Sequence, residues 1–188
     1  MKKITFFIVT LLVAVLAARS AFAAATQNIT ITISINTAAS LTIDTNTWNL
    51  TGSNFSSSYI SSPYLLTNDG SVNETFKIVG ANSAGTHPWT MAASPNTNQF
   101  TAQGLIGAAA AAAPAAGDFG AEDTLNNATY VPATVTDLGN AVWSGTSGVD
   151  VVPAGTRRLY LRLQTATGGY ASAGSIGTIT LTVSADVL

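Results

Sequence analysis

Asn28-Ile29-Thr30-Ile31-Thr32-Ile33-Ser34-Ile35-Asn36 places four isoleucines on one face of an extended chain, with Thr30, Thr32 and Ser34 on the other. Strand side chains alternate between faces, and β-branched residues favour that backbone. The stretch therefore predicts a strand with one face for a core and one for water. The far end repeats the pattern: Ile176, Ile179, Leu181 and Val183 are spaced by Thr178, Thr180 and Thr182, with a slip at Gly177 that reads as a bulge. Residues 41–43, 64–66, 75–79, 89–92 and 158–164 predict further short strands, each bounded by Gly, Asn, Ser, Pro or Asp. In Arg158-Leu159-Tyr160-Leu161-Arg162-Leu163-Gln164 the leucines are expected inward and the long polar residues outward. With turn signals such as Asn68-Asp69-Gly70 and no long amphipathic helix, the expectation is an all-β fold: a single antiparallel β-sandwich of jelly-roll type.

The segment ahead of the first strand reads as an export leader. Met1-Lys2-Lys3 is a charged start, residues 4–18 are apolar, and Ala21-Phe22-Ala23 is an A-x-A cleavage site. The apolar run is shorter than the roughly 20 residues that span a bilayer. Residues 1–23 are thus expected to be a signal peptide, and 24–188 a β-sandwich domain that is secreted or held at the cell surface. Removing 23 of 188 residues leaves 165, enough for one core. Lys2, Lys3 and Arg19 leave with the leader, so four basic residues face nine acidic ones and the formal charge is −5. That sign argues against a nucleic-acid partner or an anionic membrane surface. The chain has no cysteine, which excludes disulfides, thiol chemistry and a lipid anchor on cysteine. Residues 184–188 carry no apolar tail or basic cluster, so no membrane association of the mature form is expected.

Residues 104–124 form an Ala/Gly-rich stretch, with 108–113 all alanine before Pro114. So short an alanine run does not nucleate a stable helix. It reads as the tail of a strand entering a surface loop, with a helical turn around 121–125 capped by Asp118 or Glu122.

Catalytic chemistry finds little purchase. His87 is the only histidine, so a pair of histidine ligands is impossible, and H-E-x-x-H is absent. No serine sits in G-x-S-x-G, and the one mature lysine, Lys77, has no serine at the spacing of an S-x-x-K nucleophile. The expectation is no enzyme, no catalytic residue and no cofactor. Asp118, Glu122 and Asp123 are the one cluster of oxygen ligands close in sequence, and a weak calcium candidate because the D-x-[DN]-x-[DN]-G spacing is missing. Trp48, Trp89 and Trp143, with Tyr59, Tyr64, Tyr130, Tyr160 and Tyr170, could supply a sugar-stacking platform, although rings in a sandwich more often fill the core.

The isoleucine strand begins shortly after the cleavage point, so export would free it as an N-terminal arm. Such an arm pairs within its own sheet or adds to the open edge of a neighbour. Residues 27–36 are therefore a candidate donor strand, with Ile29, Ile31, Ile33 and Ile35 as the self-assembly residues. The leader and Ile/Thr strand, the Trp89-Thr90-Met91 strand, the Ala-rich loop leading to Phe119-Gly120-Ala121-Glu122-Asp123, and Val152-Pro153-Ala154-Gly155-Thr156-Arg157-Arg158-Leu159 resemble together a family of bacterial and archaeal secreted jelly rolls. That family includes the camelysin/TasA-like matrix-fibre subunits. The resemblance implies a subunit of a pilus-like fibre or biofilm matrix that forms a homopolymer by donor-strand complementation. The protease activity described for camelysin is not carried over, because this chain lacks metal-ligand sets. The alternative is a secreted adhesin or carbohydrate-binding module with glycan contacts.

Overall fold

The computed structural model describes residues 38–50, 54–85, 88–134, 148–169 and 178–188. The candidate donor strand and His87 lie outside them. The described chain forms nine strands and one 3-10 turn: β1 (Leu41–Ile43), β2 (Ser58–Ile60), β3 (Tyr64–Asn68), β4 (Glu74–Val79), β5 (Thr90–Met91), β6 (Gln99–Ala108), the turn Ala116–Asp118, β7 (Val131–Pro132), β8 (Thr156–Gln164) and β9 (Thr182–Val187). The larger sheet has the order β1-β3-β8-β6-β5, with β2 also on β8, and the smaller one the order β7-β4-β9. From β3 onward the chain crosses between sheets at every connection except β5–β6. Pairing is antiparallel apart from two residue pairs joining β5 to β6.

The core lies where the inner faces meet. Along β4, Glu74, Phe76 and Ile78 are buried while Thr75, Lys77 and Val79 are half-buried. Phe76, Ile78, Leu66, Phe100, Ile106 and Val151 are fully buried in one cluster with Leu159 and Met91 beside them. Each such side chain contributes about 2 kcal/mol through the area it removes from water. β2 and β3 are one strand interrupted by a bulge. Ile60 lies opposite Arg162 and Tyr64 opposite Leu159, so four steps on one side meet three on the other. Ser61 closes the gap, donating its N–H to the Leu161 carbonyl at 2.9 Å and accepting the Leu161 N–H on its hydroxyl at 3.0 Å. Pro63, which has no N–H to offer, occupies the bulged stretch.

The Ala/Gly-rich stretch opens as the tail of a strand. Its first residues belong to β6, the longest described strand, which pairs with β8 from Thr101 to Ala108. The remainder folds back over the outer face of the larger sheet. Phe119 packs there on Leu105 and Tyr160, with Ala111 and Ile60 at the margin. Arg158 donates to the Ala111 carbonyl at 2.8 Å, and Arg162 to the Ala116 carbonyl at 3.1 Å. The outer face of β8 is thus a second, small core rather than a solvated surface, and Tyr160 is 3% exposed. The 3-10 turn falls at Ala116–Asp118, and in the expected 121–125 stretch a single turn is closed by the Thr124 N–H on the Ala121 carbonyl at 3.2 Å. Asp118 accepts the Ala115 N–H and Asp123 the Gly120 N–H, both at 2.7 Å, and Thr124 already bridges to Gln103 as extended chain.

Candidate functional site

Residues 38–40 bring the leading segment into the fold beside the β3–β4 turn. The Ser71 N–H donates to the Ala38 carbonyl at 3.2 Å, and the Ser40 N–H to Glu74 Oε1 at 2.7 Å. Glu74 is fully buried, and its Oε2 has no hydrogen-bond partner among the described residues. Burying a carboxylate this way is costly, so the surrounding backbone must hold it in place. Asn68, also fully buried, supplies much of that rigidity. Its Nδ2 donates to the Val72 and Val151 carbonyls at 2.8 and 2.7 Å, and its Oδ1 accepts the Gly70 N–H at 2.8 Å. A Cβ on Gly70 would stand 2.2 Å from Glu74 Oε1 and 2.5 Å from the Ala38 carbonyl, so only glycine fits between the turn and the incoming segment. Sequence reading passed over this pair. The signal was parity: in Glu74-Thr75-Phe76-Lys77-Ile78 the glutamate shares a face with Phe76 and Ile78.

β4 continues from this junction, paired along its length with β9, from Glu74 opposite Val187 to Val79 opposite Thr182. The other side of β4 is occupied. The Phe76 N–H donates to the Gly148 carbonyl at 2.9 Å, its carbonyl accepts the Ala133 N–H at 2.8 Å, and Glu74 exchanges two backbone bonds with Val151. The far side of β9 receives no backbone hydrogen bond from any described residue. Val183 and Ala185 face inward and pack against the core with Ile179 and Leu181, and the intervening Thr182, Ser184 and Asp186 fall on the opposite face. β9 ends in exposed apolar residues, with Val187 45% and Leu188 68% exposed. The Leu188 N–H reaches back to the Asn73 carbonyl at 3.3 Å, holding this end beside the start of β4. Such an edge offers a row of peptide donors and acceptors above a half-open apolar face, the chemistry that binds an extended strand.

The other candidates are placed elsewhere. Asp118 and Asp123 serve the backbone of the folded-back loop, while Glu122 is exposed. Among the described residues no group of three His, Cys, Asp or Glu side chains could hold a metal ion. Lys77 pairs with Asp186 across β4 and β9, and its ammonium sits 4.8 Å from the Tyr130 ring centroid. Trp89 stacks on Phe55 at 5.9 Å and, like Trp48, packs against the core. Tyr64 and Tyr160 are buried, and Tyr130 alone of the described Trp and Tyr rings is largely exposed. The described aromatics do not form one platform, and Trp143 and Tyr170 lie outside the described residues, as do Ile29, Ile31, Ile33 and Ile35. No protein-family model matches the chain, and no curated protein matches it.

Proposed function

We propose that this protein is a non-enzymatic structural subunit of an extracellular filament or surface layer that assembles by donating its N-terminal strand to a neighbour. The observation that carries the reading is the β9 edge: six residues long, paired on one side only among the described residues, and adjacent to the point where the leading segment joins the fold. A chain that offers both an alternating strand and an edge of matching length left open by the described residues holds the two halves of a heterologous contact, which can propagate head to tail. The packing of the described aromatics into the core gives the adhesin or glycan-binding alternative less support.

The test is negative-stain microscopy with size-exclusion chromatography of residues 24–188 beside a form lacking 24–36. Filaments from the longer chain alone are the expected result, with Ile31→Asp abolishing them. A longer chain that stays monomeric at high concentration, with a shorter one that unfolds, would assign the strand to its own sandwich and redirect the work to glycan binding.

A further inference from the structure

We infer that the acceptor for residues 28–36 is the β9 edge of a second copy of this chain, and that the incoming strand runs antiparallel to β9. This rests on the strand-donation reading and adds its surface, direction and register.

Length selects the edge. The remaining strands at sheet margins, β1, β2, β5 and β7, have two or three residues each, whereas β9 has six. Among the described strands at sheet margins, β9 alone is long enough for a run such as Ile29 to Ile35 to form a full ladder. β9 also carries neither proline nor an unpaired charge to discourage addition, since Asp186 is held by Lys77.

Reach then separates a chain's own β9 from a neighbour's. Ala38 is tied to Ser71, and Ser40 to Glu74, at the end of β4 that lies opposite Val187. Ile35 and Ala38 are three Cα–Cα steps apart, a span of at most about 11 Å. β9 itself extends about 17 Å at the rise of a strand. A chain could therefore lay its own arm on its own β9 in one sense only, with Ile35 near Val187 and parallel to β9. The opposite sense would put Ile35 at the Thr182 end, which only a second molecule can do. Antiparallel ladders have the better-aligned hydrogen bonds, and one here would continue the antiparallel β4–β9 pair.

Register completes the match. With Thr32 opposite Ser184, Ile31 meets Ala185, Ile33 meets Val183 and Ile35 meets Leu181. Ile29 then arrives at Val187, which is 45% exposed, next to the exposed Leu188. Thr30 meets Asp186 and Ser34 meets Thr182 on the other face, so no like charges oppose each other.

The absence of native cysteine makes engineered cysteines unambiguous. Thr32 falls opposite Ser184 in both senses, so a T32C/S184C form of residues 24–188, oxidised during assembly, reports parentage. A ladder of disulfide-linked multimers on a denaturing gel is expected. A monomer-sized product that has lost its free thiols would overturn the inference, because the strand would lie on its own sheet. S34C/T182C, opposite only in the antiparallel register, is expected to crosslink, and T30C/T182C, opposite only in the parallel one, is not; the reverse result overturns the direction. Filaments that form without any crosslink to β9 would leave strand donation standing and remove β9 as the acceptor. Failure of the unmodified chain to polymerise would remove the functional reading itself.

Discussion

At the scale of single residues, the fold is fixed at the Asn68–Gly70–Glu74 junction. Asn68→Ala withdraws the donor from two carbonyls and the acceptor from one N–H, the Val151 bond being buried and the other two part-buried. Leaving such groups unpaired costs about 1–3 kcal/mol each before relaxation, and the net loss is expected to be about 3 kcal/mol in urea unfolding. Asn68→Asp is expected to be nearly as damaging, because Val72 and Val151 lose the same amide. A second residue gives the fold a pH response. Burial, and secondarily the nearby Asp44 carboxylate, raise the Tyr64 phenol above its ordinary value. The unfolded chain therefore ionises first, so the stability contributed by neutral Tyr64 is complete below pH about 10 and is lost as pH climbs toward the raised folded value. In alkaline unfolding curves Tyr64→Phe is expected to flatten that part of the decline and leave stability near neutrality unchanged within about 1 kcal/mol.

At the scale of elements, the folded-back loop is held by a short list of contacts, which makes it separable from the sandwich. Phe119→Ala is expected to cost about 3 kcal/mol and, more tellingly, to speed amide exchange across residues 109–123 while the exchange of β4 and β8 changes only with global stability. The short strands bounded by turn residues were legible in the sequence: residues 41–43, 64–66, 75–79, 89–92 and 158–164 all fall within or over strands. β6 was not legible past its tail, because Gln99-Phe100-Thr101-Ala102-Gln103-Gly104-Leu105-Ile106-Gly107-Ala108 is covered on both faces and so shows no alternation. The last strand was displaced for a related reason. Isoleucine and threonine alternate from 176 to 183, yet the ladder with β4 runs from Thr182 to Val187, because pairing follows the partner's register more than local propensity. Of the candidate site, the donor half is readable as a pattern. The proposed acceptor half is not, since which edge the described strands leave open is a property of sheet order and leaves no mark on the residues that line it.

At the scale of the whole molecule, β8 is the hub. β2, β3 and β6 all pair with it, and β4 waits for β9 to complete its ladder. A chain emerging from its amino end can close only the small β1–β3, β5–β6 and β4–β7 pairings before residue 156 appears. Long-range pairing of this kind slows folding, since loop closure must precede any gain from contact. A circular permutant that begins near residue 148 and so presents β8 early is expected to refold measurably faster in stopped-flow fluorescence at similar stability. The tardiness has a use of its own. In the secretion proposed above, a polypeptide threaded through a narrow export channel would have to arrive there still unfolded, and one whose central strand is among the last to be made would carry its own delay.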